Sequence, residues 1–258
     1  MTINMKQTGS VAFAVFLALT TPALAQEPGG PGGGGFTVGL LGFRGDTAYG
    51  FTETAALPFI EYENEYFKLG LPTLDVKLPW ISTETLSFGL SVDLLGGEGG
   101  YEASDAPHLR GMAEREAGIW AGAVMDWRTE AVDLSFRAMT DIGGDSEGSS
   151  LSVMASRDFF VGERLMITPK LGATWLDDKA VNYYYGVTQA EAAPGRAAYT
   201  GTSTVNVEAG ITFGYLLSER QMLMLDVSVT NPGSGITDSP VVTEDRLTSV
   251  GLGYMLKF

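Results

Sequence analysis

The chain closes on Thr248–Phe258, and every second residue there is apolar: Val250, Leu252, Tyr254, Leu256 and Phe258. Ser249, Gly251, Gly253 and Lys257 between them are small or polar, with Met255 the one exception. A period of two defines a β-strand with one apolar face. The pattern recurs along the chain. Leu86, Phe88, Leu90 and Val92 oppose Ser87, Gly89, Ser91 and Asp93, and Val205, Val207, Ala209, Ile211, Phe213 and Tyr215 oppose Asn206, Glu208, Gly210, Thr212 and Gly214. Tilted strands of about 10 residues are what a bilayer crossing needs. Turns near 128, 162 and 219 are tight, whereas those near 105, 146, 190 and 238 are long. Such one-sided asymmetry belongs to outer-membrane barrels, with short periplasmic turns and longer external loops. The expectation is an all-β, transmembrane, antiparallel up-and-down β-barrel facing outer-membrane lipid, closed because hydrocarbon leaves no backbone group an outside partner.

The chain begins as export requires. Lys6, the apolar run Val11–Leu19 and Pro22-Ala23-Leu24-Ala25 make a charged region, an apolar region and a small-residue cleavage site. Residues 1–25 read as a signal peptide, cut between Ala25 and Gln26. The run is too short for a membrane-spanning helix, which takes about 20 residues. Residues 26–35, rich in Gly and Pro, read as a flexible tether, and 36–258 as the barrel.

Cysteine is absent and His108 is the single histidine, which argues against disulfides and thiolate or zinc centres. Removing 1–25 takes away Lys6 and no acid, moving the formal charge from −15 to −16. Such an acidic chain lacks the basic clusters that nucleic acid demands. No cofactor, metal or catalytic set is expected. Ser104, Asp105 and His108 are neighbours in sequence, but a triad is defined by geometry. Asp141, Asp145 and Glu147 could offer oxygen ligands to a cation, yet an acidic external loop explains them as well.

Read in order, the segments give eleven strands, with Phe36–Phe43 followed by a Gly- and Thr-rich loop up to Ala56, and Ser150–Phe160 as one strand. Two periplasmic termini require an even number. The segment Tyr66–Trp80 changes phase: Phe67, Leu69 and Leu71 are apolar at odd positions, and Leu74, Val76 and Leu78 at even ones. A one-residue slip turns every side chain over, so a break belongs near Pro72-Thr73. That break gives twelve strands; a misassigned segment between Ala48 and Tyr66 would give ten. The lumen face then carries Asp93, Asp126, Asp133, Arg137, Lys170, Glu208 and Asp226. Barrels of this size are largely filled by side chains, so these mixed charges read as a paired polar interior rather than a wide pore.

Several motifs carry a family resemblance. Tyr183-Tyr184-Tyr185-Gly186-Val187-Thr188, Asp238-Ser239-Pro240, Leu109-Arg110-Gly111-Met112 with Arg115, and Pro58-Phe59-Ile60-Glu61-Tyr62 together resemble the MipA/OmpV family of Gram-negative outer-membrane proteins. The resemblance runs from about Phe36 to Phe258. It implies residence in the cell outer membrane and assembly by the barrel-assembly machinery. Closing strands of outer-membrane barrels are read by that machinery at their terminal aromatics, here Tyr254 and Phe258. The family is named for a scaffold joining a murein hydrolase to a murein synthase. The resemblance therefore implies a non-enzymatic scaffold or interaction role in the cell envelope, with a narrow solute channel or a surface adhesin or receptor as alternatives. The family signature holds no catalytic residues. Its tyrosines suit an interfacial aromatic belt, and Gly186 and Pro240 suit turns.

Overall fold

The computed structural model describes residues 34–258. The signal segment, its Ala25–Gln26 junction and most of the 26–35 tether lie outside the described residues. The strands are β1 (Gly35–Asp46), β2 (Thr52–Glu63), β3 (Phe67–Gly70), β4 (Thr73–Lys77), β5 (Leu86–Gly96), β6 (Gly118–Arg128), β7 (Asp133–Asp141), β8 (Ser149–Ser156), β9 (Phe159–Val161), β10 (Leu165–Leu176), β11 (Thr204–Ser218), β12 (Gln221–Asn231) and β13 (Leu247–Lys257). Each pairs antiparallel with its neighbours, and β13 returns to β1 over Thr37↔Lys257 to Gly45↔Ser249. β10 pairs with β11 along their length, so the ring is closed.

β8 and β9 occupy one position in the wall. Both lie against β10 in a single register, Lys170↔Ser156 continuing to Ile167↔Phe159. The interruption falls opposite Pro169, which has no N–H to give. Its carbonyl still accepts from Arg157 N. The barrel therefore has twelve strands. The phase change near Pro72 is a turn: β3 and β4 form a hairpin through Leu69↔Leu74 and Gly70↔Thr73. The stretch up to Ala56, read from sequence as loop, is strand from Thr52 onward, and the β1–β2 connection is only Thr47–Phe51. Its glycines and threonines mislead because a strand end at the membrane rim needs little apolar side chain.

The pleat sorts the side chains. Leu40, Ile60, Leu90, Leu171, Val207, Leu225 and Leu252 are exposed around the outside, where lipid takes the place of water. Tyr62, Phe67, Trp80, Trp127, Phe159, Phe160 and Tyr254, also exposed, gather toward the periplasmic ends and make an aromatic girdle. At the terminus, Phe258 N–H donates to Phe36 O at 2.8 Å, and the two rings lie 6.1 Å apart.

Inside, charges are paired. Lys170 Nζ stands 3.1 Å from Asp226 and 3.4 Å from Glu208, and Lys68 stands 3.1 Å from Glu61. Removing one member of such a buried set typically costs about 3–5 kcal/mol, because its partners stay behind uncompensated. The interior is not wholly polar. Phe59, Met222, Met224 and Met255 are buried together, with Leu41 and Leu216 against them. Met255, the exception in the closing strand's alternation, thus belongs to an apolar cluster in the lumen. Periplasmic turns at 64–66, 129–132, 162–164 and 219–220 are short and the segment 78–85 is longer, while external segments at 97–117, 177–203 and 232–246 are long and those at 47–51, 71–72 and 142–148 are short.

Leu252 lies at the centre of β13 and faces lipid. Leu252→Arg should lower folding stability in phospholipid vesicles by about 2–4 kcal/mol, the cost of a midplane arginine. Urea titration of folded and unfolded fractions measures it, and a loss well under that range would move Leu252 off the midplane.

Candidate functional site

The external mouth is where the chain departs from plain strands. Within 177–203, Asp177 accepts from Ala180 N–H at 2.8 Å and caps helix α1 (Asp178–Tyr185), whose first turn also carries Asp178. Ala180, Val181, Tyr184 and Tyr185 fall on one helix face and are buried. Gly186 ends the helix, its N–H donating to Asn182 O at 2.9 Å. A Cβ there would lie 2.2 Å from that carbonyl, which requires glycine. A second short helix, α2 (Ser234–Thr237), buries Ile236.

These helices meet the other external loops in one cluster. Ala48 and Tyr49 enter it from the first loop, Tyr101, Ala106, Leu109 and Met112 from the third, and Val187, Ile236 and Val241 from the last two. Trp120, Met139 and Leu176 supply its floor from the barrel wall. The Tyr49 ring lies 4.6 Å from that of Tyr101 and 5.4 Å from that of Tyr185, contacts worth about 0.5–1.5 kcal/mol each beyond burial. Polar groups are satisfied across loops. Tyr49 OH donates to Tyr184 O at 2.9 Å, and Ser239 Oγ to Tyr185 O at 2.6 Å. The result is a folded lid over the lumen.

The lid is also held by charge. Glu191 accepts from Ala113 N–H, from Thr188 N–H and from the Thr188 hydroxyl, with Arg115 Nη2 at 3.1 Å. Burial works against its charge, but these donors outweigh it and hold the carboxyl down at about 2. Arg115 Nε donates to Tyr183 O at 2.7 Å, and its guanidinium lies 5.7 Å from the centre of the Tyr183 ring. Buried Arg196 donates to the carbonyls of His108, Arg110 and Glu191, tying the third loop to the fifth.

Beneath the lid the barrel encloses a chamber of about 170 Å³, bordered by Asp93, Glu98, Arg137, Asn206, Glu208 and Asp226 among others. Glu98, in the loop after β5, joins lid to wall: its Oε2 accepts from Tyr185 OH and from Asn206 Nδ2, both at 3.2 Å. Burial pushes the Glu98 carboxyl up to about 7, against the lowering effect of those two hydrogen bonds.

The sequence motifs sit at the heart of this lid. Tyr184, Tyr185, Val187 and Ser239 are buried, while Asp238 and Pro240 follow α2. The aromatic-belt reading of the tyrosines is therefore corrected: two of them pack inside the lid, because a capped helix turns them inward. Leu109 and Met112 are buried there too. Ser104 donates to Glu102, Asp105 accepts from Glu102 N–H, and His108 Nε2 is buried without a partner, so the three are not brought into a relay. Asp141 accepts from the N–H groups of Gly143, Gly144 and Ser146 and from the Ser146 hydroxyl, and Glu147 pairs with Lys179. Those carboxylates hold a turn and a surface contact. Glu98, Tyr49 and Arg196 went unnoticed in the sequence, where each is one residue in an irregular stretch.

A closed twelve-stranded barrel with an apolar belt, a periplasmic aromatic girdle and a folded external lid is an outer-membrane β-barrel protein. Residues 34–258 match the family described as MltA-interacting protein MipA, and the chain belongs to that family. It is 25% identical over 211 residues to the outer membrane protein YiaT of Escherichia coli (strain K12), covering 81% of this chain and 85% of that one. It is 25% identical over 206 residues to the outer membrane protein OmpV of Vibrio cholerae, covering 80% and 77%. Among solved structures, the NanC porin aligns over 86% of this chain and 100% of its own, with a TM-score of 0.44 and 8% identity. The protein resides in the outer membrane.

The carboxyl of Glu98, raised from 4.5 to about 7, binds a proton more readily in the closed lid than in an opened, hydrated one. Lid stability should thus be greatest at acidic pH, fall as pH rises through the window between those two values, and level off above it. Hydrogen exchange of the 178–186 amides, corrected for intrinsic rates, should show increasing opening across that window. Glu98→Gln should flatten the dependence, and an unchanged slope in that variant would assign it to another group.

Proposed function

We propose that the protein is a closed, non-enzymatic barrel that works through its exposed surfaces as an interaction protein of the cell envelope. The observation that carries this reading is the state of the lumen, roofed by the lid and narrowed below by the Phe59, Met222, Met224 and Met255 cluster. This arrangement fits a barrel filled by its own side chains rather than a wide pore. The family description names a partner for its founding member, and on that basis the partner class is a murein-degrading enzyme. Such an enzyme works in the periplasm, so contact falls on the periplasmic rim. The longest segment there runs from 78 to 85 and presents Trp80, 72% exposed.

Affinity capture from solubilised envelopes tests this. Murein enzymes should be retained by the full protein and by variants with shortened external loops. Retention should drop when Trp80 and Ile81 are replaced by Ser. Loss of partners only with the external loops would overturn the scaffold reading in favour of an adhesin or receptor.

A second reading is favoured by the chamber itself, whose polar lining is what a solute would meet in a gated channel. Planar-bilayer recording separates the two. The closed-barrel reading expects no conductance steps from the native protein, and none above baseline noise across the pH window of Glu98. Regular steps that grow as the lid loosens would make it a channel.

Assembly is the third part of the proposal. Phe258 and Tyr254 are both exposed on the outward face of the closing strand, available to the assembly machinery. Deleting Phe258 should reduce heat-modifiable barrel in the membrane fraction. Normal folded yield after that deletion and after Tyr254→Ala would remove the assembly role.

A further inference from the structure

The wall is incomplete in one place. β3 and β4 are 4 and 5 residues long, while β2 and β5 on either side have 12 and 11. The hairpin ends at Leu71-Pro72, and its outer strand meets β2 only at Glu61, Tyr62 and Glu63. From Thr52 to Ile60, β2 is paired with β1 on one side. On the other side, among the described residues, it has no ladder partner.

Which groups point into that space follows from the ladder. Asn64 N–H donates to Phe67 O across the β2–β3 turn. Alternation then puts the even-numbered backbone groups of β2 on the hairpin side and the odd-numbered ones on the β1 side. Thr52, Thr54, Ala56 and Ile60 therefore aim N–H and C=O into the gap. Pro58, the fifth even residue, has no N–H. A proline inside a twelve-residue strand is accommodated on an unpaired edge, and it also blunts that edge as a template for another strand.

The surroundings are apolar. Leu57 shares the lumen-facing side with its partner Leu41, yet it is 41% exposed. Ile60, Leu71, Leu94 and Leu95 around the gap are exposed as well. Leu94 and Leu95 lie at a register shift in β5, and Leu94 N–H donates to Pro72 O. The gap is continuous with the lipid-facing belt and lies in its external half. Lipid-exposed backbone does not stay unpaired in hydrocarbon, so the polar groups in this gap require polar partners.

We propose that this notch is a lipid-binding site, in which an acyl chain of an outer-leaflet lipid lies against Leu57, Ile60, Leu71 and Leu94. The ester carbonyls of that lipid accept from the free N–H groups of β2, and N–H or O–H groups of its headgroup donate to the free C=O groups. Apolar side chains and open backbone polar groups in one cleft fit a phospholipid, which has both parts. A wholly apolar ligand would leave the donors unmet, and a wholly polar one would leave the leucines bare.

The chain contains no cysteine, so single-cysteine spin labels report cleanly. In phosphatidylethanolamine–phosphatidylglycerol vesicles, a label at Leu57→Cys should show the oxygen accessibility of one at Leu252→Cys. It should exceed by several-fold that of a lumen label at Ser150→Cys. In the unmodified protein, a phosphatidylethanolamine bearing a diazirine on its acyl chain should cross-link to Leu57 as readily as to outward Leu225. The proposal is overturned if the Leu57 label is reached by a water-soluble nickel complex and not by oxygen, or if Leu57 gives no adduct while Leu225 does. Spin–spin broadening at Leu57 that grows with protein-to-lipid ratio would also overturn it, by showing a second copy in the notch.

Discussion

Everything in this molecule depends on giving each backbone polar group a partner where water is absent. An unsatisfied group in hydrocarbon costs several kcal/mol, so the sheet must return to its own first strand. The nine-residue register between β1 and β13, from Thr37↔Lys257 to Gly45↔Ser249, accomplishes this. Once the ring exists, the pleat divides the side chains without further instruction. Leucines and valines meet lipid, and Lys170, Glu208 and Asp226 neutralise one another in the lumen. Where the ring is interrupted, at Pro169 and above the β3–β4 hairpin, proline stands at the site of the missing bond.

Much of this architecture was legible in the sequence because strand alternation is a local property. The closing strand and the one-sided loop lengths point to a barrel, and the slip at Pro72 points to twelve strands, which the structure has. The limits were local as well. Thr52–Ala56 lacks large apolar residues, so alternation gave no signal for a strand that its partner β1 nonetheless imposes. Ser150–Phe160 read as one strand, and the interruption within it comes from a proline on the neighbouring strand.

The lid was harder to read, for a physical reason. Its parts lie at Tyr49, Tyr101, Tyr184 and Val241, and each loop by itself is a few apolar residues among glycines and acids. Only the barrel, by bringing the strand ends to one rim, makes those residues neighbours. The motif Tyr183–Val187 marked the right segment, but periodicity did not suggest that two of its tyrosines face inward. Asp177 as a helix cap and Ala180-Val181 followed by Tyr184-Tyr185 were the available signals, and both are short. Glu98 carries no sequence signature at all, since its raised pKa comes from enclosure by groups far away in the chain.

The lid also fixes an order of events in time. Its contacts, such as Tyr49 with Tyr101 and Tyr185, join residues separated by scores of positions, and loop-closure entropy makes such contacts slow to form before their anchors are in place. Strand hairpins can zip locally, and the β1–β13 seam can then shut. The roof can assemble only when that seam has fixed the rim. A newly inserted barrel therefore passes through a stage with an open mouth and a wet interior, and it becomes sealed by a later, separate step.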